Sequence, residues 1–389
     1  MKKILLIAVA AMAAMTACSR VDVAGDAQRE INFEVANRLT KATGAVYSNG
    51  AFGTYSWYTA GTASGSQGVE FMVNETVDKV GGVWKTSVNT FYWPKTGSID
   101  FISYSPFSGT NDTADSNPAI TKTSISYTGI TAGNVDLMYA DKVNCSANVN
   151  EVTDSDTADS GFTGVPTVFR HALAKLSFKI KANFITYTDP TTNTTTSWEV
   201  KVTSAKIGGF KTTGDCALAL NTDGKTWDKP VTQVANPAYD GTDPSIPEYL
   251  NYNVWTNLSG TSSEQELIDA TTYPTGVILT TTAQDLAAAS GYVMPQVLAA
   301  GTQILKLKIH IKTTLSNGKE INEDFEPSFD IMNISSLKAW QMNENIVYTI
   351  NIKPVAYASE YDTPNDVIIT FDPAVADWTN VDASATIQL

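Results

Sequence analysis

Leu305-Lys306-Leu307-Lys308-Ile309-His310-Ile311-Lys312 decides the fold: every second residue is a large aliphatic, and each residue between carries an amine or an imidazole. Successive side chains take opposite faces only in an extended strand, so this octet predicts a half-buried β-strand with a basic outer face. Working outward, Leu176, Phe178 and Ile180 alternate with Ser177, Lys179 and Lys181. Ile346, Tyr348, Ile350 and Ile352 alternate in the same way with Val347, Thr349, Asn351 and Lys353. All three read as half-buried antiparallel strands. Turn-rich stretches such as Asp189-Pro190-Thr191-Thr192-Asn193-Thr194 and Asn236-Pro237-Ala238-Tyr239-Asp240-Gly241 separate them. Helical periodicity is almost absent; Ala283 to Ala289 reads as a short helix, and a single turn is expected near Ser335 to Trp340. The expectation is an all-β chain folded as two tandem antiparallel β-sandwiches.

The chain has 389 residues, enough for about two domains that each bury a core. A long polar loop from Cys145 to Gly164 ends where the strand pattern restarts, which places the boundary at 39–169 and 170–353. Pro354 to Asp366 reads as a connector that lets the last segment, within 354–389, leave its own domain. A formal charge of −14 argues against nucleic acid or anionic lipid as partners. Beyond Cys18, only Cys145 and Cys216 are present; they could pair in an oxidising compartment, but two buried free thiols are the favoured reading.

Met1-Lys2-Lys3 is a positive n-region, Ile4 to Ala14 an apolar stretch too short to span a membrane, and Met15-Thr16-Ala17-Cys18 has the form of a lipobox. Residues 1–17 are therefore expected to be removed as a signal peptide and Cys18 to be lipidated, palmitate included. Several acyl chains together anchor a protein stably. Ser19 and Arg20 carry no acidic retention signal, so the expected address is the outer membrane and cell surface.

The two ends carry matching strands. Ile31-Asn32-Phe33-Glu34-Val35 sets Ile31, Phe33 and Val35 on one face, and Val367-Ile368-Ile369-Thr370-Phe371 does the same with Val367, Ile369 and Phe371. Either could fill one groove. Between the first strand and everything after it lies Asn37-Arg38-Leu39-Thr40-Lys41-Ala42, where a trypsin-like protease could cut after Arg38 or Lys41. Residues 18–38 thus read as a lipidated leader with a removable first strand, and Val375, Trp378 and the alternating Ala383, Ala385, Ile387 and Leu389 extend the last strand as a donor. The plainer reading makes the two segments ordinary edge strands and Arg38 a loop residue.

Little supports catalysis. His171 and His310 are the only histidines, and neither has a nucleophile or carboxylate constellation visible in sequence. A calcium reading of Asp154, Asp156 and Asp159 lacks the ligand alternation, glycine and terminal glutamate of a calcium loop. No phosphate loop or metal-spaced Cys/His cluster is present, so neither metal nor cofactor is expected. Asp112-Thr113-Ala114 and Asp156-Thr157-Ala158 resemble short O-glycosylation acceptors, and Tyr239, Tyr249, Tyr252 and Trp255 could form a stacking platform for a host or bacterial glycan or a protein ligand.

A family resemblance joins these readings. Phe91-Tyr92-Trp93-Pro94, then Ile99, Phe101 and Tyr104-Ser105-Pro106, then Asp136-Leu137-Met138-Tyr139-Ala140, then Phe169-Arg170-His171-Ala172-Leu173-Ala174-Lys175-Leu176-Ser177-Phe178 resemble, in that order, the fimbrillin (Mfa-like) family of Bacteroidetes. Tyr292-Val293-Met294-Pro295-Gln296, Trp340 with Asn345 to Ile352, and Phe371 to Val375 with Trp378 extend it over nearly the whole chain. The resemblance implies transthyretin-like sandwiches, export as a lipoprotein, and a type V pilus subunit. It further implies removal of the first strand by an Arg/Lys-specific surface protease and its replacement by the C-terminal strand of another fimbrillin subunit. The function so implied is a fimbrial subunit, a stalk component in adhesion or biofilm formation, and not an enzyme. An anchor that keeps Cys18 lipidated, a tip adhesin and a monomeric glycan-binding lipoprotein are the alternatives.

Overall fold

The alternating segments at 31–35, 176–181, 305–312 and 346–353 pair as strands, and the way they pair fixes where the first strand sits. The computed structural model describes residues 30–37, 50–60, 68–94, 96–107, 117–133, 135–146, 164–220, 227–228, 231–235, 249–253, 255–286, 291–334, 337–354 and 368–375. Ten strands precede residue 172. They are β1 (Asn32–Asn37), β2 (Phe52–Thr59), β3 (Val69–Val80), β4 (Val83–Thr86), β5 (Ser98–Ser105), β6 (Ala119–Thr121), β7 (Ser124–Thr131), β8 (Met138–Ala140), β9 (Val143–Ser146) and β10 (Val165–His171). Eight of them form one sheet in the order β2-β3-β4-β1-β10-β8-β5-β9.

That sheet curls until it meets itself, because β2 also pairs with β5 from Gly53↔Tyr104 to Thr59↔Ser98. Gly53 permits the closure: a Cβ there would collide with the Tyr104 ring. Inside the ring, Ile31, Phe33, Phe52, Met72, Val77, Ile99, Phe101, Val165 and Phe169 form one buried cluster. Closure removes sheet edges, and with them unpaired backbone groups.

Only Ala172 and Leu173 separate β10 from β11 (Ala174–Ala182), which is followed by β12 (Thr186–Thr188), β13 (Thr195–Gly208) and β14 (Thr213–Leu220). β11 lies between the short strand Gln284–Asp285 and the penultimate strand Asn345–Lys353, with the final strand Ile368–Val375 outermost. β13 pairs with the lysine-studded strand Ile304–Thr314 along most of its length, interrupted by a bulge between Val202 and Ser204. The inward residues of these sheets, among them Leu176, Phe178, Ile180, Val200, Val202, Leu307, Ile309, Ile346, Tyr348 and Ile350, pack into a second cluster. The period-two pattern of the sequence is this burial pattern.

A third cluster joins the two. β7 pairs with β14 from Thr213↔Thr131 to Ala219↔Ser124, so one sheet contains strands from both sides of residue 172. Against it pack Ile125, Tyr127, Leu137, Tyr139, Leu173, Leu218, Trp255, Met294 and Met342. Trp255 is 1% exposed and donates its indole N–H to the Ala172 carbonyl at 2.8 Å. The Tyr127 hydroxyl donates to the Met138 carbonyl at 3.2 Å, and burial pushes its acidity well below that of free tyrosine.

Three expectations change. The strands at 174–182 and 345–353 pair with each other in parallel, from Lys175↔Asn345 to Ala182↔Ile352, and β1 pairs in parallel with β10. Parallel neighbours need a long crossover, and the intervening chain supplies it in both cases. Gln284 and Asp285, expected in a helix, instead pair with Ile180 and Lys179, and the Leu286 N–H donates to the Phe178 carbonyl at 3.0 Å. The open edge of β11 overrides alanine's helical preference there. The helix near the C-terminal side is Ile331–Ile334, upstream of the expected turn, and Ala339–Trp340 is a short strand paired with Gln296–Val297.

Cys145 and Cys216 are buried and unbonded, in the first and third clusters, and burial pushes both thiols up to about 12. At pH 8 a thiol-specific reagent should leave both unmodified in the folded chain and modify both in denaturant; rapid native labelling of either would contradict this packing. Replacing Trp255 with Phe should cost about 1–3 kcal/mol in urea unfolding, because the Ala172 carbonyl loses its donor while the ring volume is largely kept.

Candidate strand-exchange groove

β1 occupies the gap between β4 and β10 and holds it by backbone pairing on both sides. With β10 it runs parallel, from Phe33↔Val165 to Asn37↔Phe169, and with β4 antiparallel, through Asn32↔Lys85 and Phe33↔Trp84. Upstream, the Ile31 N–H donates to the Phe91 carbonyl at 2.9 Å and Glu30 bridges Tyr92. Lys85 closes the entrance with an ion pair to Glu30 at 3.2 Å, both side chains about one-third exposed, at 31% and 30%. Such half-exposed pairs add little stability and serve mainly to fix geometry.

The side chains do the anchoring. Ile31 is 1% and Phe33 4% exposed, and Val35 packs half-buried against the same cluster. The Phe33 ring meets Phe52 and Phe101 edge-on, each at 5.7 Å between centroids. Phe52 in turn meets Phe169 at 5.4 Å and Trp84 at 5.7 Å. The pocket is thus walled by β2, β4, β5 and β10 together, and edge-to-face rings hold it beyond simple area burial. Gly164 completes it. A Cβ there would lie 2.8 Å from the Asn32 carbonyl oxygen and 3.0 Å from the Phe33 carbonyl carbon, so only glycine lets the β1 backbone come so close. The sequence offered one sign of this residue, its position immediately before the strand pattern that resumes at Val165.

The C-terminal strand sits differently. Ile369, Phe371 and Val375 lie within Ile368–Val375, whose backbone pairs antiparallel with the chain's own penultimate strand from Ile346↔Val375 to Lys353↔Ile368. Among the described residues it has one neighbour where β1 has two. The described part of the segment expected to leave its domain, Ile368–Val375, is therefore paired with the chain's own penultimate strand. Val367, Trp378, Cys18, Arg38 and Lys41 fall outside the described residues, as do Tyr239, both candidate glycosylation triplets and the Asp154, Asp156 and Asp159 loop. Trp255, expected on a stacking platform, is instead buried in the third cluster, where its indole N–H is already used.

His171 has a carboxylate neighbour that sequence spacing hid: its Nδ1 lies 2.8 Å from Asp136 Oδ1, and both side chains are buried. Tyr292 also hydrogen-bonds Asp136, and burial together with that charge raises its hydroxyl pKa. The trio spans the junction between β10 and β11. His310 Nδ1 lies 2.8 Å from Asp324 on an exposed edge. Among the described residues no group of histidine, cysteine and carboxylate side chains could hold a metal ion, and no helix is long and apolar enough to cross a membrane.

The groove makes a direct demand on stability. Phe33→Ala should lower the unfolding free energy by about 3–5 kcal/mol, and a loss below about 1 kcal/mol would show that β1 is not anchored as described. Gly164→Val should expose β1 amides to hydrogen exchange while leaving those of the Ile304–Thr314 strand protected.

Residues 40–378 match the family described as fimbrillin-like. Among solved structures the chain is similar to a fimbrial protein from Bacteroides vulgatus, at 17% identity over 90% of this chain and 100% of that one, with a TM-score of 0.48. It is also similar to the fimbrial anchor protein Mfa2 from Porphyromonas gingivalis, at 10% identity over 92% of this chain and 99% of that one, with a TM-score of 0.25. No curated protein matches it in sequence. A match that runs through nearly every strand described above makes the chain a member of the fimbrillin-like family, a non-enzymatic structural protein of the cell surface.

Proposed function

We propose that the chain is a stalk subunit of a surface fimbria, built as two tandem β-sandwich units divided between Phe169 and Arg170 and assembled by protease-triggered strand exchange. The observation that carries this reading is the position of β1: it is an interior strand of a closed ring, yet it belongs to the extreme N-terminal end of the chain and is followed at once in sequence by Arg38 and Lys41. An uncut chain keeps its first strand at high effective concentration in the groove. A cut after Arg38 or Lys41 turns that strand into a separable peptide, still joined upstream to Cys18 and its lipid.

Loss of β1 opens the ring between β4 and β10 and uncovers Phe52, Phe101 and Phe169 with two rows of unpaired backbone groups. Such an opening invites strand addition. The final strand of another subunit is suited to the vacancy because, among the described residues, it pairs with one strand in its own chain, whereas the groove offers two. Exported by its lipoprotein signal and held at the outer membrane until cut, the subunit would enter a fibre that supports adhesion or biofilm formation. The self-pairing of the final strand also favours a second reading, an anchor or tip subunit in which that strand stays at home.

Limited trypsin treatment of the chain from residue 19 onward separates these readings. Strand exchange predicts a ladder of denaturant-resistant oligomers on unboiled gels, with subunits beginning at Leu39 or Ala42, that vanishes when 367–389 are deleted. Clean cleavage that leaves only monomers would contradict the stalk assignment.

A further inference from the structure

The two end strands agree residue by residue, beyond the apolar faces they share. Ile31-Asn32-Phe33-Glu34-Val35-Ala36 aligns with Ile369-Thr370-Phe371-Asp372-Pro373-Ala374: the isoleucine, phenylalanine and alanine are identical, the acids correspond, and the polar position is amide in one and hydroxyl in the other. We propose that the groove accepts the final strand of a second copy in a single register, with Phe371 in the place of Phe33. The proposal rests on the strand-exchange reading and adds to it the register.

The structure gives two reasons for that register. First, the pocket between Phe52 and Phe101 meets a ring edge-on from both sides, and Phe371 is the only aromatic residue in the final strand. A slip of two residues would seat Ile369 or Pro373 there instead. Second, Pro373 has no N–H to give and is tolerated only where none is needed. Successive N–H groups of a strand point to opposite edges. The Ile31 N–H points to the Phe91 side, away from β10, so the N–H groups at Phe33 and Val35 share that side. On that side, pairing with β4 ends at Phe33↔Trp84, and the residues beyond are the Gly81-Gly82 turn. In the proposed register Pro373 takes the place of Val35, just past the last rung. A slip that moved Pro373 to the place of Phe33 would set it opposite Trp84, and a slip of one residue would aim its ring at β10. The remaining slip, with Phe371 at Val35, leaves the pocket between Phe52 and Phe101 filled only by Ile369.

Disulfide trapping reads the register without touching the pocket. Asn32 lies opposite Lys85 on the outer face, so a donor residue in the place of Asn32 comes within disulfide reach of a cysteine at 85. An acceptor carrying Lys85→Cys, in the chain from residue 19 onward and cut with trypsin, is mixed with donors carrying Thr370→Cys, Ile368→Cys or Asp372→Cys. Covalent dimer on a boiled non-reducing gel should form with Thr370→Cys in about tenfold excess over either other donor. The buried Cys145 and Cys216 stay out of the exchange. Dimer formed preferentially through Ile368→Cys or Asp372→Cys would overturn the register while leaving strand exchange intact. If the unsubstituted cut chain forms oligomers on unboiled gels but none of the three donors is trapped, the partner is not a second copy in this groove. Failure of the unsubstituted chain to form any oligomer would overturn the exchange reading itself.

Discussion

The ring of strands between residues 32 and 171 depends on one strand being paired on both sides. β1 is the stave between β4 and β10, and without its ladders the sheet order would run from β2 to β4 on one side and from β10 to β9 on the other, joined only through the β2 and β5 pairing. Its anchors reach the middle of the core. Phe33 touches rings from two other strands, and one of these, Phe52, touches Trp84 and Phe169, so the pocket is a property of the assembled ring and not of any one segment. A strand so placed contributes two buried side chains, Ile31 and Phe33, to the core.

The rest of the molecule keeps that ring oriented. β10 runs almost directly into β11, the shared sheet of β7 and β14 crosses the junction, and Trp255 and Tyr127 fasten it through carbonyls of Ala172 and Met138. Removal of β1 leaves those contacts untouched, since none of them involves residues 30–37. Among the described residues the final strand lies at the outer edge of the sheet that contains β11 and the penultimate strand. The first and final strands therefore belong to different sheets.

Sequence alternation revealed much of this. The strands at 174–182, 304–314 and 345–353 carry their buried faces in plain view, since period two with one apolar face has few other meanings. The two end strands were legible for the same reason. Other features depended on pairing partners distant in sequence. Alternation gives no direction, so the parallel ladders of β1 with β10 and β11 with the penultimate strand were not readable. Ala283 to Ala289 looked helical because alanine favours helix, whereas Gln284 and Asp285 complete the edge of β11. Asp136 lies 35 positions before His171, and only the antiparallel pairing of β8 with β10 brings them together. Gly164 looked like one more loop glycine; its meaning lies in the closeness of Asn32 and Phe33.

The central claim is that β1 is a replaceable part of the core, and peptide displacement tests it most directly. The trypsin-cut chain lacking 367–389 would be incubated with a labelled synthetic peptide of residues 366–389 and its intact complexes weighed under native conditions. Replacement of the leader fragment by one peptide per chain, with the thiols of Cys145 and Cys216 remaining protected, is the predicted result. A chain that retains its leader and ignores the peptide would show that β1 is a permanent stave of the ring, and the account would fail.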